Sequence, residues 1–139
     1  DTDFYTAFEE EFGAVFVWSM YLAFGPDGYI RYGLEDPLLA LASRTVSMNE
    51  QLHNPPWANE WIVHQARLNR IHAAFVLTPL GTKPAATGNR FIERALEEAG
   101  IPVLPIVADM VDARGWDPNH MRRKVADFIR QRVLPLMAR

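Results

Sequence analysis

The chain has no cysteine among its 139 residues. That absence excludes disulfide bonds, thiolate catalysis, thiolate zinc sites and any iron–sulfur cluster held by the chain's own thiolates. No apolar run approaches the roughly 18 residues that a membrane-spanning helix needs. There is also no basic segment followed by an apolar one, as a signal peptide would have. We therefore expect a cytoplasmic protein that makes no membrane contact.

The chain also lacks a large excess of either positive or negative charge. The net charge is −3, which leaves no basic stripe to neutralise phosphates and argues against a nucleic-acid partner. Hydrophobic residues make up 49% and charged residues 22%, as in ordinary globular proteins. The length suits one domain. Because the chain starts at Asp1, directly in a helical pattern, we expect residues 1–139 to be one lobe of a longer protein.

Two apolar runs with a helical pattern between them dominate the second half of the chain. Residues 73–78 and 102–108 are predicted strands, and residues 87–99 are a predicted helix that Thr87 caps and Gly100 ends. A strand, a helix and a second strand form a βαβ unit, whose strands run parallel. Ligands of parallel sheets gather beyond the carboxyl ends of the strands. We therefore expect any site in the loops that follow these strands.

A third strand is predicted over residues 14–18, a continuous apolar run typical of a strand buried on both faces. Pro105 cannot donate to a sheet ladder, which places the last strand at an edge or at a bulge. Helices are predicted to end at Gly13 and to begin at three Asx-Pro pairs. These pairs are Asp36-Pro37, Asn54-Pro55 and Asp117-Pro118. The chain is thus predicted to be an α/β lobe with three parallel strands, and a strand missing before Asp1 would explain the small sheet.

The loops at the carboxyl ends offer weak signals of chemistry. Gly81-Thr82-Lys83 stands where a phosphate-binding turn would lie, and Thr87-Gly88-Asn89 would expose backbone N–H groups at a helix start. The dinucleotide and Walker glycine patterns are both missing, so a plain loop is favoured over an anion site. Asp109, Asp112 and Arg114 suit either substrate positioning or a structural ion-pair network, of which the network is favoured.

Neither metal nor catalytic residues are assigned. The four histidines lack the spacing of metal ligands; they are His53, His64, His72 and His120. Aromatic and apolar side chains are dense after the first predicted strand, and they suit either a pocket for a flat ligand or part of the core. They are Trp18, Met20, Tyr21, Phe24, Tyr29 and Tyr32.

At these same stretches the chain resembles the benzoyl-CoA reductase and 2-hydroxyacyl-CoA dehydratase family. The matching residues are 8–14, 36–42, 81–83, 97–104 and 109–114. The resemblance covers nearly the whole chain and is most specific from Gly100-Ile101-Pro102 to the Asp109-x-x-Asp-x-Arg motif. The aromatic stretch at residues 19–21 favours the benzoyl-CoA reductase branch and anaerobic aromatic degradation.

The resemblance implies a three-layer, flavodoxin-like or Rossmann-like lobe at the C-terminal end of a two-lobe subunit. Family members hold a [4Fe–4S] cluster through cysteines, and an ATP-dependent activator protein supplies it with low-potential electrons. The reaction is aromatic-ring reduction, by an oxidoreductase, or dehydration of an acyl-CoA, by a lyase. One family cysteine is expected near Thr82. Since threonine is a poor iron ligand, the cluster here would be held from elsewhere, or the subunit would be non-catalytic.

Three hypotheses follow. The first is a lobe, inactive alone, that helps to form an acyl-CoA pocket together with a partner subunit; its substrate-binding residues would be Ser19, Met20, Tyr21, Pro79, Gly81, Thr82, Lys83 and Asp109. The second is a scaffold that assembles with a cluster-bearing partner, which an exposed apolar patch would favour. The third is a flavodoxin-like domain that binds a nucleotide or a flavin.

Overall fold

A computed structural model describes residues 2–17, 19, 36–46, 57–81, 88–109 and 111–138. In chain order these residues form helices α1 (Thr2–Phe12), α2 (Pro37–Val46) and α3 (Trp57–Leu68), strand β1 (Ala74–Pro79), helix α4 (Asn89–Glu98), strand β2 (Val103–Ala108), a 3-10 turn (Ala113–Gly115), helix α5 (Pro118–Phe128), a π turn (Ile129–Val133) and helix α6 (Leu134–Met137). This mixture of helices with a short parallel sheet is compatible with the predicted α/β class. Within these residues, no helix is both long and apolar enough to cross a bilayer.

Two of the predicted helix starts are confirmed by their capping bonds. The Asp36 carboxylate accepts two backbone N–H groups at 2.9 and 3.3 Å, and the Asp117 carboxylate accepts two at 2.9 and 3.1 Å. A proline follows each aspartate in the first turn, where its missing N–H costs no helical hydrogen bond. The third predicted start, at Asn54, lies outside the described residues.

Glycines end two helices, as predicted. Gly13 has a φ of 64° and Gly100 a φ of 82°, in the left-handed region that favours glycine. Their N–H groups, and those of the residues after them, donate back to carbonyls of the last helical turns at 2.9–3.2 Å. These bonds satisfy carbonyls that would otherwise lack donors at the helix ends.

The sheet has two parallel strands in the described part of the chain. β1 and β2 pair without interruption from Ala74 opposite Val103 to Pro79 opposite Ala108. The strands predicted over residues 73–78 and 102–108 are therefore confirmed to within one residue at each end. The unbroken register also decides between the two interpretations of Pro105, because it leaves no bulge at that residue.

The outer edge of β2 is closed by side chains. The Val103 N–H donates to the Glu97 carboxylate at 3.0 Å, Pro105 has no N–H to offer, and the Pro105 carbonyl accepts the Lys124 ammonium at 3.1 Å. Proline and charged side chains are common means of blocking further strand pairing at a sheet edge. β2 is thus an edge strand among the described residues, as Pro105 predicted.

The first predicted strand is not formed by residues 14–17, and residue 18 lies outside the described residues. Val15, Phe16 and Val17 are 63%, 41% and 63% exposed, so the predicted burial on both faces is wrong for this segment. The segment nevertheless lies near the sheet, since the Phe16 and Phe75 ring centroids are 5.4 Å apart. A continuous apolar run indicates what a strand could bury, but not whether neighbouring strands and helices cover it.

Each face of the sheet carries its own hydrophobic cluster. Because side chains alternate along a strand, Leu104 and Ile106 point to one face, where they pack with residues of α1, α5 and the π turn. Val76 and Val103 point to the other face and pack with residues of α3 and α4. The helices therefore flank the sheet on both sides, and the carboxyl ends of β1 and β2 lie between them.

Candidate functional site

The carboxyl ends of the two strands leave the sheet side by side. The Leu80 N–H donates to the Ala108 carbonyl at 2.9 Å and extends the parallel ladder by one bond beyond β1. Gly81 follows with a φ of 79°, which turns the chain away from the sheet. Consequently the predicted site residues Pro79, Gly81 and Asp109 lie at one edge, hereafter called the carboxyl edge.

Asp109 organises the turn that follows β2. Its carboxylate accepts the backbone N–H groups of Val111 at 2.8 Å and Asp112 at 3.0 Å. These bonds lower the pKa of Asp109 because they stabilise its charged form, and the bond from the Asp112 N–H has the larger effect. The side chain therefore stabilises the loop that it begins.

Asp112 and Arg114 form an ion pair at the end of the same turn. The Asp112 carboxylate faces the Arg114 guanidinium with contacts of 2.6, 2.8 and 3.1 Å, and it also accepts the Arg114 N–H at 3.0 Å. The side-chain bond from Arg114 is the main reason that the pKa of Asp112 is lowered. Of the predicted network, Asp112 and Arg114 thus form an ion pair, while Asp109 meets this pair only through the Asp112 N–H.

Asn89 ties the start of α4 to the end of β1. Its side-chain NH₂ donates to the Leu77 carbonyl at 2.9 Å and to the Thr78 hydroxyl at 3.0 Å. The residue at the cap position is Gly88, with a φ of 94° and no side-chain cap, so the prediction that Thr87 caps this helix is wrong. Sequence reasoning considered the N–H groups of this stretch and missed the Asn89 side chain, although asparagine at a helix start often bonds nearby backbone.

The other predicted site residues are placed only in part. Ser19 is half-buried, while Met20, Tyr21, Thr82 and Lys83 lie outside the described residues. The predicted aromatic pocket is outside them as well: its members are Trp18, Met20, Tyr21, Phe24, Tyr29 and Tyr32. The substrate-binding role of Ser19 thus stays a prediction.

A row of aromatic rings was missed by sequence reasoning. The Phe4 and Trp116 centroids are 6.3 Å apart, those of Phe4 and Tyr5 5.8 Å, and those of Tyr5 and Phe16 4.7 Å. Trp116, Tyr5 and Phe16 remain between 40% and 52% exposed. The row thus leads from the turn after β2, across α1, towards β1 and presents an apolar surface to solvent.

Two open grooves of about 320 Å³ each lie elsewhere in the described structure. One lies between α4 and the outer edge of β2 and is lined by Arg90, Arg94 and Pro105 among others. The second is lined by His72, Gly100 and Leu136 among others, near the start of β1. Neither is lined by Pro79, Gly81 or Asp109. Among the described residues, no three His, Asp or Glu side chains are grouped as a metal site would require.

Comparison with known protein families gives a match over most of the chain. The family model described as 2-hydroxyglutaryl-CoA dehydratase, D-component, matches residues 1–131. No curated protein and no solved structure matches the chain. Since the family model covers nearly the whole chain, the resemblance seen in the sequence is confirmed. The chain belongs to the 2-hydroxyglutaryl-CoA dehydratase D-component family.

Proposed function

We propose that this chain is the C-terminal lobe of a subunit in an acyl-CoA-transforming complex of the 2-hydroxyacyl-CoA dehydratase and benzoyl-CoA reductase type, with a flavodoxin-like fold. Its carboxyl edge would form one wall of the acyl-CoA pocket. The observation that carries the proposal is the bond from Leu80 to Ala108, which brings Pro79, Gly81 and Asp109 together. The family match over residues 1–131 supports a dehydratase-type component.

The donor atoms of this chain do not fit an iron–sulfur cluster. The chain has no cysteine, and Thr82 supplies a hydroxyl that binds iron poorly compared with a thiolate. We propose that any [4Fe–4S] cluster of the complex is ligated by residues outside 1–139, in the other lobe of the subunit or in a partner subunit. The resemblance implies that an ATP-dependent activator protein would supply the low-potential electrons.

Kinetics of the assembled complex test the acyl-CoA pocket. Thr82→Ala and Lys83→Ala should each raise KM for the acyl-CoA or lower kcat, because both residues follow the carboxyl end of β1. The control is His72→Ala, at an exposed residue that precedes the opposite end of β1 by two positions. If the two loop variants match the control, the loop does not belong to the pocket.

The choice of reaction is tested separately. The residues 19–21 favour aromatic-ring reduction, whereas the family description names a dehydratase. The assembled complex should be offered benzoyl-CoA and a 2-hydroxyacyl-CoA in parallel. Consumption of benzoyl-CoA alone supports the reductase branch, and formation of an unsaturated acyl-CoA from the hydroxy compound supports the dehydratase branch.

A scaffold role is the second candidate, and exposed apolar residues favour it. Leu77, Leu80 and Val111, on or after the ends of the strands, are 60%, 55% and 95% exposed. Large exposed apolar side chains can mark a protein interface. Leu80→Ser should then weaken association with the partner subunit in sedimentation experiments, whereas Leu68→Ser, at the equally exposed end of α3, should not. Equal association of both variants would exclude this surface as the interface.

A further inference from the structure

Helix α5, the π turn and helix α6 follow one another without a break and are together called the C-terminal helix. This helix widens at the π turn, which contains Arg130 and Arg132. In the π turn, the Leu134 N–H donates to the Ile129 carbonyl, five residues back. Pro135 explains the widening, since it has no N–H and its ring would clash with the carbonyl four residues earlier, that of Gln131. Single π turns are rare and frequently have functional roles.

Arg130 links this turn to α1. Its guanidinium donates to the Glu11 carboxylate and lies 5.1 Å from the centroid of the Phe12 ring. A second carboxylate, Asp127, lies 3.7 Å away on α5. α1 packs on the face of the sheet that holds Leu104, so Arg130 holds the end of a helix on that face.

Arg132 links the same turn to the other face. Its guanidinium contacts both carboxylate oxygens of Glu97, near the end of α4, at 3.1 and 3.2 Å. Glu97 also accepts the Val103 N–H at 3.0 Å and so bonds to the first residue of β2. α4 packs with the cluster that holds Val76, on the face opposite α1.

We propose that the π turn is a conformational clasp that joins the helices on the two faces of the sheet. Side chains two residues apart on a helix point in different directions, which lets Arg130 and Arg132 reach separate elements. The wide turn shifts every later side chain relative to the earlier ones, so the direction of Arg132 relative to Arg130 depends on Pro135. Through Arg130, the clasp fixes the end of α1, just before residues 13–17. Through Arg132 and Glu97, it fixes the start of β2.

Hydrogen exchange of the complete protein, followed by mass spectrometry, tests the clasp. Arg130→Ala should speed exchange in residues 9–17 about two- to fivefold, the range expected from losing an exposed ion pair, without changing residues 94–103. Arg132→Ala should do the reverse. Pro135→Ala should speed exchange in both segments, because it lets the helix continue with α geometry.

Arg94→Ala is the matched control, since it removes an ion pair of 2.7 Å within α4 that joins no second element. It should leave residues 9–17 unchanged. The clasp is overturned if Arg130→Ala and Arg132→Ala leave exchange unaltered, or if they speed it equally throughout the chain. Unaltered exchange in the Pro135 variant would overturn the assignment of the π turn to that proline.

Discussion

Val125, on α5, has 0% of its surface exposed and lies in the cluster beneath Leu104 and Ile106. Val125→Ala removes two buried carbon atoms, which costs about 1.6 kcal/mol at about 0.8 kcal/mol each. An unrelaxed cavity of about 40 Å³ adds about 1 kcal/mol. Alanine returns about 0.5 kcal/mol through its higher helix propensity. The free energy of unfolding should therefore fall by about 2 kcal/mol.

Urea denaturation of the complete protein measures this change as a lower midpoint with an unchanged slope. The same substitution at Val111, which is 95% exposed, is the matched control. Val111→Ala should change the free energy of unfolding by less than about 0.5 kcal/mol, as is usual at the surface. A loss of less than about 0.5 kcal/mol at Val125, or an equal loss at both positions, would refute the assigned core.

Two further predictions concern charge and backbone conformation. The capping bonds of Asp117, above all the bond from the His120 N–H, lower the pKa of the Asp117 carboxyl in the folded protein. The charged carboxylate therefore contributes its full stabilisation above the usual aspartate pKa of about 4. That stabilisation is lost as the pH falls through the lower pKa of the folded state. Asp117→Asn keeps a cap without the charge; unfolding measured between pH 7 and pH 2 should show the two proteins converging in acid, and a constant difference would contradict this. Arg70 has a φ of 53°, in the left-handed region that is strained for residues other than glycine. Arg70→Gly should therefore raise the free energy of unfolding by about 1 kcal/mol. A melting temperature below that of the original protein would contradict backbone strain at this residue.

Local signals in the sequence were sufficient for much of the fold. Asp36 and Asp117 mark helix starts because a short carboxylate side chain bonds the N–H groups of its own helix. Gly13 and Gly100 mark helix ends because the left-handed conformation favours glycine. These contacts join residues only a few positions apart, so they can be predicted from the local sequence alone.

Contacts between distant residues were not predictable in the same way. Arg130 meets Glu11 across 119 positions, and the pair exists only because α1 packs beside the C-terminal helix. The exposed segment 14–17 shows the converse failure, since its apolar run predicted burial that depends on elements elsewhere in the chain. A sequence pattern shows what a segment favours, while its neighbours decide whether that preference is met.

The polar groups at the carboxyl edge bear on what this lobe can do. One carboxylate oxygen of Asp109 accepts two backbone N–H groups, and Asp112 forms an ion pair with Arg114. The Asn89 side chain donates a hydrogen bond to the Leu77 carbonyl in β1. These contacts stabilise the loops around the carboxyl edge. The apolar residues beside them stay exposed. The proposed role of this edge in binding is therefore tested by substitutions at Thr82 and Lys83 for the substrate and at Leu80 for a partner.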